Sequence, residues 1–223
     1  MKKTIEIKIA SDVVCPWCYI GKKRFETALA NLAGEGVELD INISFRPFQL
    51  DPSAPRNAPS PVIDGYAKKF GGVEKAHQII NHVTSAASDS GIEFHMENAL
   101  RANTLQAHRL LHWALVHHGA QVQVLLKQAL LEAYFTNGED ISNSDVLLSC
   151  AQRAGITPET TQTYLASEEG LEEVLSDLSL AGELGITAVP TFVFDGKWTV
   201  PGAQDVAVFE NVLRRLATRT LTS

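Results

Sequence analysis

The sequence has few cysteines, no basic run and no long apolar segment, and each of these features excludes a class of protein. No apolar stretch approaches the ~20 residues that a helix needs to span a bilayer, so we expect no membrane association. The net charge of −7, without a basic run to offset it, argues against a nucleic-acid partner. With three cysteines and no second cysteine pair, the ligands of a structural zinc site are missing, and we expect no bound metal.

Size and composition are those of an ordinary globular protein. The 223 residues, 45% of them hydrophobic, suffice for one large domain or for a small domain that carries an insertion. The first four residues resemble the start of a secretory signal, but Glu6, Lys8 and Asp12 interrupt any apolar segment behind them. We therefore expect a cytoplasmic protein, either a monomer or a homodimer, in a compartment where paired cysteines are more often catalytic than structural.

Two of the cysteines, Cys15 and Cys18, form a Cys-Pro-Trp-Cys motif between a predicted strand and a predicted helix. Pro16 falls on the first helical position, where its missing N–H group costs nothing. Cys18 follows three residues after Cys15 on the same helix face, so the two sulfurs can approach each other. This arrangement is typical of a redox-active dithiol.

The position of Cys15 at a helix start predicts a reactive thiolate. Unpaired N–H groups and the helix dipole stabilise an anion there by up to ~2 kcal/mol, which lowers a thiol pKa by roughly 1.5 from about 8.5. We expect Cys15 to attack or to be attacked, and Cys18 to resolve the mixed disulfide. Trp17, between them, should lie near the surface and give a milder oxidant than a histidine would.

Two other interpretations of the motif are a structural disulfide and half of a zinc site. A disulfide across two intervening residues closes almost no loop, so it adds little stability. Zinc would need two more ligands, and Cys150 is the one remaining cysteine. Cys150 lies on an amphipathic helical pattern, which favours a buried thiol over a third redox cysteine.

The two ends of the chain predict one four-stranded sheet with helices against it. Polarity alternates at 5–10 and at 37–45 as it does in strands, and 15–33 between them has a helical pattern, which gives a βαβ unit. Near the other end, a hairpin over 190–200 with an Asp-Gly turn precedes a helix over 204–218, which gives ββα.

The middle of the chain predicts an all-helical insertion. We expect a discontinuous α/β domain over 1–55 and 185–223, interrupted by a helical subdomain over 56–184. The predicted helices of the insertion span 62–70, 73–89, 104–118, 121–136, 144–154, 158–166 and 171–184.

Five regions of the chain carry recognisable motifs: Ser-Asp-Val-Val-Cys-Pro-Trp-Cys-Tyr-Ile-Gly from Ser11, Arg-Pro-Phe-Gln-Leu from Arg46, Asn-Thr and Ala-His-Arg within 103–109, Ala-Val-Pro-Thr from Ala188, and Pro-Gly-Ala-Gln from Pro201. These stretches resemble the DsbA-like group of the thioredoxin superfamily and, within it, the FrnE-like branch of disulfide oxidoreductases. Together they span nearly the whole chain. The resemblance implies a thioredoxin-like fold in which the α/β core carries the helical insertion.

The resemblance also implies residues that contact the substrate. It implies a cis peptide bond between Val189 and Pro190, which leaves the backbone beside the cysteine pair free to hold an extended substrate. It places Asn103 and His108 near the rim of the active site, although a packed, hydrogen-bonded histidine is the alternative for His108.

Other side chains near the motif have two interpretations each. Trp17, Tyr19 and Phe48 would form an apolar rim that grips a peptide or a glutathione moiety, although aromatic residues at these spacings are more often core. Asp12, three residues before Cys15, is either a polar group that tunes the thiols or a loop carboxylate with local backbone hydrogen bonds.

The residues and the resemblance together predict a protein disulfide oxidoreductase or isomerase that exchanges disulfides with protein or low-molecular-weight thiols. No organic cofactor is expected, and glutathione is a candidate redox partner. A second hypothesis is a glutathione-dependent isomerase or transferase, because the chromene-carboxylate isomerases and kappa-type glutathione transferases resemble the chain in their helical insertion. Those proteins usually carry serine in place of the first cysteine, where this chain has Cys15. A third is a metal-binding or scaffold protein.

Overall fold

The computed structural model describes residues 4–56 and 58–220, which form a four-stranded sheet, a short two-stranded pairing and the surrounding helices. The strands are β1 (Ile5–Ser11), β2 (Ile41–Pro47), β3 (Ser60–Pro61), β4 (Leu100–Arg101), β5 (Thr191–Phe194) and β6 (Trp198–Pro201). The helices are α1 (Pro16–Gly34), α2 (Val62–Phe70), α3 (Val73–Asp89), α4 (Leu105–His118), α5 (Ala120–Phe135), α6 (Ser144–Arg153), α7 (Pro158–Leu165), α8 (Leu171–Glu183) and α9 (Val206–Thr220).

Strand β1 lies inside the sheet, whose order is β2-β1-β5-β6. It runs parallel to β2, with Ile7 opposite Ile43, and antiparallel to β5, with Ile7 opposite Phe194. Strands β5 and β6 form an antiparallel hairpin whose turn residues, Asp195 and Gly196, have φ values of 50° and 66°. Two positive φ values are those of a type I′ turn, which suits an Asp-Gly pair. The predicted βαβ and ββα units are therefore confirmed.

Aromatic rings fill the core between the sheet and two of its helices. The ring centroid of Phe25 on α1 lies 5.4 Å from that of Phe192 and 5.3 Å from that of Phe209 on α9, and all three side chains are buried. The alternating isoleucines of β1 belong to the same cluster, whereas Glu6 and Lys8 between them are exposed. This packing fixes α1 against the strand that precedes it.

A second hydrophobic core forms among the inserted helices. Phe135 on α5 is fully buried and stacks on Phe94 at a centroid distance of 4.4 Å. Helix α1 contributes Tyr19 and Ile20 to this core and Phe25 to the core at the sheet. One helix is thus buried in both cores, and the cysteine motif lies at its N-terminus.

The predicted and observed helices correspond one to one, and the main differences lie in the strands. Strand β2 begins at Ile41 rather than at 37, because the N–H of Val37 still bonds the carbonyl of Leu32 at the end of α1. The pairing of β3 with β4 has no signature in the sequence, since two-residue strands show no periodicity.

The domain boundaries stay a prediction. None of the helices in the described ranges is long and apolar enough to cross a bilayer.

Replacing Phe25 by alanine should destabilise the fold strongly. The substitution removes a buried ring that contacts three others, so we expect the free energy of unfolding to fall by about 3–5 kcal/mol in urea denaturation. Phe70→Ala is the matched control, because that ring is 39% exposed. A loss as large in the control as in Phe25→Ala would contradict the importance of this cluster.

Candidate active site

The cysteine motif forms the junction between β1 and α1. Cys15 is the N-cap residue of α1, with extended backbone angles, and its Sγ accepts a hydrogen bond of 3.3 Å from the N–H of Cys18. Pro16 occupies the first helical position, as predicted. Both cysteines are free thiols and both are almost fully buried, with 3% and 2% of their surfaces exposed. The local sequence therefore places two reduced sulfurs in one helical turn.

Burial changes the ionisation of this pair from what the helix dipole predicts. Burial raises the pKa of Cys15 well above its usual value, and the hydrogen bond and charge of Cys18 add to the rise. Burial also opposes ionisation of Cys18, but its hydrogen bond with Cys15 and the charge of Lys127 outweigh this and lower its pKa. The prediction of a low pKa at Cys15 is wrong for this structure, because desolvation exceeds the helix-terminus effect. Of the two thiols, Cys18 is thus the one whose pKa is lowered.

Val189 and Pro190 lie beside the first cysteine. The S–H of Cys15 donates a hydrogen bond of 3.7 Å to the carbonyl of Val189, and the peptide bond between Val189 and Pro190 is cis. Pro190 packs on α1 at Gly21, where an added Cβ would come within 3.0 Å of the proline Cγ. Glycine at this position therefore lets the loop before β5 approach the cysteines.

A cavity of about 720 Å³ opens over the first cysteine. Its wall includes Cys15, Trp17 and Val189 but not Cys18. Trp17 is half-buried and its ring lies 5.6 Å from that of His82 on α3. The rest of the wall comes mostly from the inserted helices and the loops around them, including Leu50, Val62, Tyr66, Phe70, Val83, Arg101 and Tyr134. Of the two sulfurs, the one at Cys15 is thus the one that a ligand in the cavity can reach.

Asp12 is fully buried, and the structure agrees with both interpretations of it, as a loop carboxylate and as a polar group that acts on the thiols. Its carboxylate accepts hydrogen bonds of 2.8 Å from the N–H groups of Val13 and Leu50, and its Oδ1 lies 3.1 Å from Nε2 of His108. These are the local backbone bonds of a loop carboxylate. Its charge also contributes, as the smallest of the causes, to the raised pKa of Cys15. Asp12 therefore both builds the loop before the motif and acts on the thiols.

The structure separates the predicted contact residues from the cavity. His108 is buried against Asp12 and links α4 to the loop before the motif, as the packed interpretation predicts. Asn103 is buried, and its amide donates to the carbonyls of Pro52 and Ala54, so it holds the loop before α2. Phe48 is half-buried and is not among the residues that line the cavity. These three side chains therefore belong to the structure around the site and do not line the cavity.

Lys127 and Tyr66 are absent from the predicted site residues. Burial lowers the pKa of Lys127 to about 8, and the charges of both cysteines act on it. Burial raises the pKa of Tyr66 to about 12, and the charge of Cys15 adds to this. The sequence does indicate that Lys127 is buried. The residue precedes Leu130 by three positions and Leu131 by four, so it shares their buried face of α5.

Cys150 lies apart from the dithiol, in the core of the inserted helices. It is 1% exposed, and burial raises its pKa to about 12. The prediction of a buried thiol is confirmed. Among residues 4–56 and 58–220, no three histidine, cysteine, aspartate or glutamate side chains are grouped to hold a metal ion.

Alkylation should distinguish Cys150 from an exposed thiol. In a Cys15→Ser, Cys18→Ser double variant, we expect iodoacetamide to label native Cys150 far more slowly than the same protein unfolded in urea, because the thiol is both buried and un-ionised. Mass spectrometry measures the rate. Labelling of the native protein as fast as of the unfolded protein would contradict burial.

Known proteins share this architecture. The chain is 27% identical over 212 residues to the uncharacterized protein YwbO of Bacillus subtilis, which covers 94% of this chain and 96% of YwbO. A crystal structure of a probable DsbA oxidoreductase from Streptomyces coelicolor superposes with a TM-score of 0.84 at 30% identity, over 95% of this chain and 89% of that one.

A more distant structure shares the fold. The cytosolic disulfide reductase DsbM from Pseudomonas aeruginosa, solved with GSH, has a TM-score of 0.63 at 15% identity over 98% of this chain and 100% of that one. The family model of the DSBA-like thioredoxin domain matches residues 6–214, so the chain belongs to that family.

Proposed function

We propose that the protein is a thiol–disulfide oxidoreductase that works through the dithiol of Cys15 and Cys18. The observation that carries this proposal is that Cys15 lines a cavity while the N–H and the sulfur of Cys18 lie directly behind it. Membership of the DsbA-like family and the likeness to a probable DsbA oxidoreductase support a redox enzyme in general. The assignment to the FrnE-like branch stays a prediction.

The proposed division of labour follows from which sulfur faces the cavity. In the oxidising direction, a substrate thiolate attacks Cys15 in the disulfide, the bond between the two sulfurs breaks, and Cys18 leaves as a thiolate. The lowered pKa of Cys18 makes it a good leaving group. A second substrate thiolate then displaces Cys15 from the mixed disulfide and completes the substrate disulfide.

In the reducing direction, Cys15 is the nucleophile. Burial raises its pKa, so its thiol must lose a proton before it attacks. The Cys15 thiolate attacks a substrate disulfide and forms a mixed disulfide, and one substrate sulfur leaves as a thiolate that takes up a proton. Cys18, whose pKa is lowered, then attacks Cys15 as a thiolate and releases the second substrate sulfur.

We propose that the substrate chain lies between Trp17 and the Val189–Pro190 segment. Both Trp17 and Val189 line the cavity beside Cys15, and Pro190 fixes the position of the Val189 carbonyl against α1. The cavity of about 720 Å³ is large enough for a low-molecular-weight thiol or for the side chain of a peptide. The DsbM structure with GSH supports glutathione as a redox partner. No organic cofactor is required, because the two sulfurs carry both electrons.

The cytoplasm is the proposed compartment. The name of DsbM as a cytosolic disulfide reductase is consistent with this localisation. A single copy of the chain contains both sulfurs and the cavity wall, so the proposed chemistry needs no second subunit.

Insulin reduction by dithiothreitol tests the proposed function. We expect the wild type to accelerate the precipitation of insulin chains and Cys15→Ser to lower the rate to that of dithiothreitol alone. Cys150→Ala is the matched control and should retain the rate, because its thiol lies in the core of the inserted helices, apart from the dithiol. Equal rates for wild type and Cys15→Ser would contradict the proposal.

Replacing the second cysteine separates the proposed exchange from glutathione-dependent isomerase or transferase chemistry. We expect Cys18→Ser to stop multiple turnover and to accumulate a mixed disulfide at Cys15, because the resolving sulfur is gone. Incubation with oxidised glutathione followed by mass spectrometry measures the adduct. Full isomerase or transferase activity in Cys18→Ser, with no adduct formed, would favour the alternative.

A further inference from the structure

The cavity over Cys15 extends well beyond the sulfur that it exposes. Its volume of about 720 Å³ lies within the range of roughly 300–1,000 Å³ that is typical of small-molecule sites. Cys15, Trp17 and Val189 form a small part of its wall. Disulfide exchange at Cys15 needs contact with one sulfur alone, so the remaining wall is available to recognise the rest of a substrate.

Most of the remaining wall is apolar and comes from α2, α3 and the segments beside them. Val62 on α2, Val83 on α3 and Ala102 after β4 are buried side chains of this part. Other apolar or aromatic side chains in it are Leu50, Phe70, Ile79, Leu100 and Tyr134. An apolar ligand gains free energy when it leaves water for such a wall, whereas a charged group loses its hydration there.

The charged side chains of the wall do not form an anion site. Arg101 is paired with Asp51, with 2.7 Å between its Nε and a carboxylate oxygen, so its charge is already balanced. Lys68 and Lys69 are exposed near the end of α2, where Asp64 offsets part of their charge. A carboxylate on the substrate would therefore lose hydration in the cavity without gaining a buried, unpaired cation from the described part of the wall.

Tyr66 supplies a hydrogen-bond donor to this apolar wall. Its ring packs edge-on to that of Phe70, with the centroids 5.6 Å apart. The hydroxyl of Tyr134, in the same wall, donates a hydrogen bond of 2.8 Å to the carbonyl of Leu100, whereas the hydroxyl of Tyr66 bonds no group among the described residues. Burial raises the pKa of Tyr66 to about 12, and the charge of Cys15 adds to this, so the hydroxyl stays protonated. It is available to an acceptor on a ligand.

We propose that the cavity binds an uncharged low-molecular-weight disulfide whose apolar body carries an oxygen acceptor for the hydroxyl of Tyr66 and whose sulfur meets Cys15. The proposal rests on the proposed function and deepens it by naming the substrate class. Glutathione keeps the part of the thiol that restores the dithiol, because a restoring thiol needs to reach Cys15 but not to fill the cavity.

The electrons and protons of the step balance. The Cys15 thiolate attacks one sulfur of the substrate disulfide, and the other sulfur leaves and takes up a proton. The Cys18 thiolate then attacks Cys15, and the second substrate sulfur leaves and takes up a proton. The substrate has gained two electrons and two protons as two thiols, and the protein holds a disulfide. Two glutathione thiols return that disulfide to a dithiol and become glutathione disulfide.

A matched pair of synthetic substrates tests the proposal on the wild-type protein. The probes are the symmetrical disulfide of N-benzyl-2-mercaptoacetamide and the same molecule with a carboxylate at the para position of each ring. Both share the sulfur and the amide oxygen, so they differ in charge at the end far from the sulfur. With glutathione as the electron donor and chromatography of the released thiol as the assay, we expect kcat/KM to be at least about tenfold higher for the uncharged probe. A smaller ratio, or the reverse preference, would overturn the proposal.

Replacing Tyr66 by phenylalanine tests the hydrogen bond. We expect Tyr66→Phe to lower kcat/KM for the uncharged amide probe by about threefold or more, as expected for one neutral hydrogen bond. The disulfide of 2-phenylethanethiol, which lacks the oxygen acceptor, is the matched control substrate and should react equally well with both proteins. Equal losses for the two substrates, or no loss for the amide, would overturn the role of Tyr66.

A charge placed in the wall separates this proposal from the proposed function. Phe70 is 39% exposed, so we expect Phe70→Glu to fold and to lower kcat/KM for the uncharged amide probe, because the new carboxylate lies in the apolar wall. Val116→Glu is the matched control, since Val116 is 61% exposed on α4 and outside the wall. Equal rates in the two variants would overturn the proposed substrate class. That result leaves the oxidoreductase itself intact if Cys15→Ser still abolishes insulin reduction.

Discussion

The desolvation of two thiols in the first turn of α1 is the constraint on which the site depends. A helix N-terminus would favour an anion at Cys15, yet removal of water from the sulfur outweighs this effect. The pKa of Cys18 is lowered instead, because its hydrogen bond with Cys15 and the charge of Lys127 outweigh burial. The sulfur that faces the cavity and the sulfur whose pKa is lowered are then different atoms, joined by one turn of helix.

The two hydrophobic cores produce this degree of burial. One core holds α1 on the sheet through Phe25, and the other receives Tyr19 from the same helix. The inserted helices therefore close over the motif instead of forming a separate lobe. They also supply His108, which bonds Asp12, and Lys127, whose charge acts on Cys18. The α/β unit carries the cysteines, while the insertion determines their electrostatic environment.

The sequence was sufficient to predict the elements but not the environment of the site. Helix positions could be predicted because periodicity and glycine stops are local properties. The position of Cys15 at the N-cap followed from Pro16 for the same reason. Its raised pKa could not be predicted, because burial depends on helices that follow by a hundred residues or more. His108 bonds Asp12 in the loop before the motif and Asn103 bonds the loop before α2, and neither residue lines the cavity.

The contact between Gly21 and Pro190 has a consequence for how the sequence tolerates change. Residue 21 lies in a regular helix with ordinary backbone angles, so nothing in its conformation demands glycine. Even a methyl group there would press on the proline ring at 3.0 Å and displace the carbonyl that faces the first sulfur. A position with no reactive group therefore helps to set the geometry of the reactive sulfur, because only the absence of a side chain there leaves room for the proline ring.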